Sequence, residues 1–151
     1  MVELIVVMII VGIMAVAVIP RMDLLGGFDS RGMRDQTIAA IRFAQKSALA
    51  ERRHVCVAIV NSDITLRIAS AFATTAACTA VTSLDQELTY PADNCGSGNS
   101  RTVCRPARVT TTLGGGFILF DPSGRPVSGA GSYTVTDESP IIVEAETGYV
   151  R

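Results

Sequence analysis

The stretch that most limits what this chain can become is its first, MVELIVVMIIVGIMAVAVIPRM. Residues 4–19 contain no charged side chain. As a helix, a run of this length rises about 24–28 Å, just short of the ~30 Å hydrocarbon core of a bilayer. Valine, isoleucine and methionine occupy every side of it, so it has no polar face with which to lie flat at an interface. It must be buried all round, in lipid or among other apolar helices. It does not read as a secretory signal, because the first basic residue, Arg21, comes after the run and no small-residue cleavage site closes it. Two residues punctuate it. Gly12 weakens a helix interior by about 1 kcal/mol relative to alanine, and Pro20 removes a backbone donor and crowds the preceding turn. The stretch between them is the least secure part of the helix. At the head of the run stands Glu3, a carboxylate that is costly beside apolar surroundings unless a cation neutralises it.

The remaining charge is unevenly spread over the 151 residues. Residues 21–53 carry seven basic against four acidic side chains, and residues 54–151 carry six against nine. The chain as a whole is −1, with mean hydropathy +0.38. That balance argues against a general polyanion binder. A basic stem and an acidic body can attract each other in neighbouring copies, or be two solvated faces.

Four cysteines are present, Cys56, Cys78, Cys95 and Cys104, with no C-x-x-C pair. The single histidine, His54, is two residues from Cys56, which is poor spacing for zinc. An even count in a membrane-tethered chain suggests disulfides formed in an oxidising compartment. Of the three pairings, Cys95–Cys104 is preferred because CGSGNSRTVC is a polar loop that a bridge would close, which leaves Cys56–Cys78. The alternative is reduced, buried thiols, for which Cys56 in HVCVAIV is the best candidate.

After the apolar run, DLLGGFDSRG (residues 23–32) holds three glycines and reads as a break or hinge, with Asp29 or Ser30 available to cap a second helix. MRDQTIAAIRFAQKSALAERR then has amphipathic spacing, with Ile38, Ile41, Ala44 and Ala48 on one face and Arg34, Arg42, Lys46, Arg52 and Arg53 supplying polar surface. From His54 the period becomes two. VCVAIV and ITLRIAS, joined by NSD, predict a β-hairpin with Ile64, Leu66 and Ile68 on one face. Residues 70–86 and 91–107 read as loops, with QELTY a short strand between them. RVTTTL, GFILFD, SYTVT and PIIVEAE predict further strands, and DPSG (residues 121–124) a type I turn. The fold class expected is α+β: a long N-terminal helix, apolar then amphipathic, packed on an antiparallel β-sheet. Its parts are residues 1–22, an apolar helix; 23–53, hinge and amphipathic helix; and 54–151, the sheet domain.

The opening residues resemble the N-terminus of type IV pilins and type II secretion pseudopilins, from Met1 through residue 22. In those proteins a leader and the first two mature residues would precede this point. RFAQKSALAERRHVCVAIV, FDPSGRP and the terminal ETGYVR are similar to the GspH/FimT group in particular. The resemblance implies a structural filament subunit that waits in the bacterial inner membrane. After processing by a prepilin peptidase, it joins copies of itself through the N-terminal helix in an extracellular pilus or periplasmic pseudopilus. Under it, Glu3 would pair with the terminal amine of a neighbouring subunit, and Gly12 and Pro20 would shape the assembly helix. The alternatives are a minor pseudopilin of a type II secretion system and a FimT-like DNA-binding pilin. Some FimT-like proteins bind DNA through a C-terminal Gly-Arg-x-Arg motif. Gly148 and Arg151 match it here, Tyr149 replaces the first arginine, and Arg125 is a further candidate contact.

No constellation of catalytic residues is evident. His54 has no nucleophile beside it. The glycines at 114–116 lack the Lys-Ser/Thr of a phosphate loop and read as a bend before a strand. Asp137, Glu138, Glu144 and Glu146 lack calcium-loop spacing. No enzyme activity and no cofactor is expected.

Overall fold

A computed structural model describes residues 2–18, 25–60, 63–70, 78, 85–88, 90, 102–103, 109, 111–113 and 116–151. Helix α1 (Val2–Val18) runs unbroken through Gly12. Its 17 residues rise about 25 Å. Among the described residues, no helix is long and apolar enough to cross a membrane. Pro20 lies outside the described residues.

Helix α2 (Leu25–Glu51) begins earlier than the glycines suggest. Gly26, Gly27 and Gly32 all lie within it, and Asp29 and Ser30 are interior rather than capping residues, so the expected hinge over residues 23–32 is not found from Leu25 onward. The physical reason is packing. Ser30, Met33 and Thr37 are buried, and once a helix is anchored downstream each added residue gains a hydrogen bond at little cost. That offsets the ~1 kcal/mol penalty of each glycine. The expected face then continues: Ile41, Ala44 and Ala48 are fully buried and Ile38 packs against them. The helix ends where Arg52 turns left-handed (φ 52°) and the Arg53 amide reaches back to the Ala48 carbonyl at 3.3 Å, closing the last turn in a Schellman arrangement.

The strands are β1 (Val55–Val60), β2 (Asp63–Ala69), β3 (Asp85–Glu87), β4 (Thr102–Val103), β5 (Thr111–Leu113), β6 (Phe117–Phe120), β7 (Pro126–Ser128), β8 (Gly131–Val135) and β9 (Ile141–Val143). They form two antiparallel sheets, not one: β3-β2-β1-β6-β7 with β4 also on β2, and β5-β8-β9. The β1–β2 hairpin is as expected, with Ile64, Leu66 and Ile68 buried. Asp63, a turn residue by its type, is instead paired with Val60, leaving residues 61–62 between the strands. Two short strands are hidden in the sequence. β4 lies in a stretch that reads as loop, and β7 comes one residue after the DPSG turn, while β3 starts one residue before QELTY. One core joins α2 to both sheets, with Val55, Val57, Ile118, Phe120, Tyr133, Ile141 and Val150 among its members.

Candidate functional site

The feature that α1 presents is its surface. Every residue from 2 to 14 is exposed, and the large apolar ones range from Val6 at 46% to Val2 at 74%. Glu3 lies in the first turn, where the positive end of the helix dipole favours a carboxylate. It makes no ion pair with any described residue. A Cβ built on Gly12 would meet nothing within 4 Å. Nothing within the described chain therefore requires glycine there.

The C-terminal candidates lie on a packed corner. Asp121 organises the DPSG turn: its Oδ1 accepts from the Ser123 amide (2.8 Å), the Ser123 hydroxyl (2.6 Å) and the Arg125 amide (2.9 Å). Partial burial pushes its carboxyl up, but these hydrogen bonds and the Arg125 charge outweigh that and hold it below its ordinary value. The Gly124 amide closes the turn on the Asp121 carbonyl at 2.9 Å, with Gly124 at φ 79°. Against this turn sits Gly148, buried and at φ 68°. A Cβ on Gly148 would come 2.5 Å from the Gly124 carbonyl oxygen and 2.7 Å from Gln45 Nε2. Gln45 on α2 donates to both the Gly124 and Thr147 carbonyls at 3.0 Å. Gly148 is thus required by backbone and packing.

The structure brings Gly148 against the residue preceding Arg125, and it pairs Arg125 with an acid rather than leaving it for an anion. Arg125 Nη2 is 3.1 Å from Glu146 Oε2. Arg151 is exposed, and its backbone exchanges hydrogen bonds with Ile142 at 2.8 and 3.0 Å. The helix arginines are also engaged. Arg34 Nε donates to the Ser139 carbonyl (2.9 Å), Arg42 Nη2 to the Val150 carbonyl (2.8 Å), and Arg31 faces Glu138 at 3.4 Å. In the sequence Arg34 and Arg42 look like polar surface and Gln45 has no visible role, yet all three clamp the C-terminal loops to α2. A long polar side chain that reaches a distant carbonyl has the same local pattern as one in water, so no sequence signal separates them.

Cys56 and Cys78 form a disulfide, with Cα atoms 5.5 Å apart. Cys56 is therefore not a buried thiol. Cys95 and Cys104, the preferred pair, lie outside the described residues. His54 sits at the α2–β1 junction, its carbonyl accepting from the Ala69 amide at 2.9 Å and its Nδ1 buried without a hydrogen-bond partner among the described residues. Gly116 is the described part of the glycine run and does bend (φ 74°) before β6, its carbonyl accepting from Ile59 at 2.9 Å. Among the described residues, no three His, Cys, Asp or Glu side chains converge on a metal-sized site. Comparison with family models, with curated proteins and with solved structures finds no match to this chain.

Proposed function

We propose that the chain is a structural subunit of a type IV pilus or related extracellular filament, and that α1 is the element through which it assembles. The observation that supports this is the exposed apolar surface of residues 2–14 in a chain whose second helix already buries its own apolar face. Apolar surface on this scale does not persist in water. Copies of the same helix, packed side by side, would satisfy it without any polar group to match except Glu3. Before assembly, inner-membrane lipid would cover the same apolar surface, although the described α1, at about 25 Å, falls short of a ~30 Å hydrocarbon core. A cation brought by a neighbouring copy would then neutralise Glu3, and a misplaced stagger would leave both charges unpaired in an apolar core.

Filaments sheared from producing cells and analysed by mass spectrometry test this. The chain is expected as the dominant component. A trace quantity would favour a minor pseudopilin, and complete absence would refute assembly. Glu3→Ala should leave the sheet domain folded and abolish filaments; normal filaments from that variant would remove Glu3 from the account. The DNA-binding alternative is weaker, because Arg125 is paired with Glu146. Retention of DNA by the protein in a low-salt gel shift would revive it.

A further inference from the structure

Helix α2 has a second face. Opposite its buried side, a line of positions runs from Phe28 to Leu49 in alternating steps of four and three residues, and every one of them is exposed. That is the spacing of a coiled-coil seam. Its two large apolar side chains stand at the ends, Phe28 at 70% and Leu49 at 48% exposure. Between them lie opposite charges. Asp35 has a side chain 78% exposed, with a 3.8 Å contact to Arg34, and Lys46 makes no ion pair with any described residue. Gly32 sits in the same line, where a Cβ would meet nothing within 4 Å. Nothing within the described chain requires glycine there, although it weakens the helix by about 1 kcal/mol relative to alanine.

We propose that this line is a self-complementary docking surface, on which a second copy of the chain lays its own α2 antiparallel. In that arrangement Gly32 faces Leu49, Asp35 faces Lys46 and Ala39 faces Arg42, and a two-fold axis repeats each pair. Every layer is matched in size or charge. The Leu49 side chain enters the hollow that Gly32 leaves. The Asp35 carboxylate meets the Lys46 ammonium. The aliphatic stem of Arg42, whose Nη2 is held on the Val150 carbonyl at 2.8 Å, lies over the small Ala39. Phe28 falls beside the end of the second helix, where the exposed Arg52 carries its guanidinium. Parallel orientations match less well. In register, Asp35 would face Asp35 and Lys46 would face Lys46. Shifted by seven residues, a parallel pair gains Arg42 against Asp35 but sets Asp35 against Phe28 and Leu49 against Arg42. Subunits of a filament share one polarity, so the antiparallel pair is not a filament contact, and the inference does not rest on the filament reading.

Sedimentation velocity of the full chain in detergent micelles, which cover α1, tests this over a concentration series. The chain is expected to dimerise. Asp35→Lys and Lys46→Asp each set like charges against one another and should raise the dimer dissociation constant about tenfold or more. The double variant swaps the pair and should restore the constant to within about threefold of the original. Both positions are exposed, so the melting temperature should stay unchanged in all three variants. Photocrosslinking from p-benzoylphenylalanine at position 49 reads the orientation and decides the matter should a charge variant fold poorly. It should label the peptide around Gly32 of the second copy. Labelling around position 49 of the second copy would overturn the proposal. So would a chain that stays monomeric throughout, a dimer indifferent to both single substitutions, or a folded double variant that does not recover.

Discussion

Helices α1 and α2 are neighbours in the chain and solve opposite problems. α2 carries one apolar face, and the sheets beneath it take that face: Met33, Ala40, Ile41, Ala44 and Ala48 are at most 1% exposed. α1 is apolar on every side, and its residues 2–14 stand in the open. Periodicity makes the difference. A stripe can be completed by one partner, and α2 has one in its own chain. A helix without a stripe needs partners all round, and a single sheet domain cannot surround it. One helix is completed within its own chain, and the apolar residues 2–14 of the other are not.

Charge is the sharpest way to break that comparison. Ala44→Asp places an unpaired carboxylate in the core and should cost roughly 4 kcal/mol or more, enough to unfold an ordinary domain. Ile10→Asp in α1 should leave the melting temperature unchanged while abolishing association. Equal thermal shifts for the two variants would mean that α1 is part of the folded domain after all. The clamp between α2 and the C-terminal loops is tested next. Gly148→Ala forces a side chain into a left-handed backbone and against the Gly124 carbonyl, and should lower stability by about 2–3 kcal/mol in urea unfolding. Gln45→Ala removes two hydrogen bonds and should cost about 1–2 kcal/mol in the same assay.

Two smaller effects sharpen where α2 ends and what the turn beneath it contributes. Arg52 occupies the left-handed C-cap position usually given to glycine, so Arg52→Gly should raise stability by about 1 kcal/mol, a gain visible as a higher melting temperature. Asp121 has a folded-state carboxyl held below its ordinary value near 3.8. Its contribution is therefore present above that value and lost as pH falls through it toward the lower folded value. Acid unfolding of Asp121→Asn should show a shallower pH dependence in that window; an unchanged slope would mean that other carboxylates carry it.

Much of α2 and the central strands is legible in the sequence because each shows a period: Ile38, Ile41, Ala44 and Ala48 at helical spacing, and Ile64, Leu66 and Ile68 at alternate positions. The DPSG turn is legible from its proline and glycine alone. The elements that stay hidden lack local pattern. β4 has two residues and β7 three, too short for alternation to be seen. The start of α2 is obscured because glycines signal a break locally, while Met33 gains its burial in a core shared with distant strands. The second sheet cannot be read at all, since strand identity does not say which strands pair. At the candidate site, Gly148 suggests a ligand motif, yet its conformation and its contact with the Gly124 turn account for it.

The short strands at the rims have a bearing on crowding. Open sheet rims invite unrelated chains to pair with them. Among the described residues, the rims of the larger sheet are β3 and β4 on one side, of three and two residues, and β7 on the other, of three, which begins with Pro126 and so offers no amide there. In the smaller sheet the free side of β9 is already occupied, since Ile142 and Arg151 exchange backbone hydrogen bonds and Val143 bridges Val150. At high local concentration, rims of this kind discourage lateral cross-β pairing between copies.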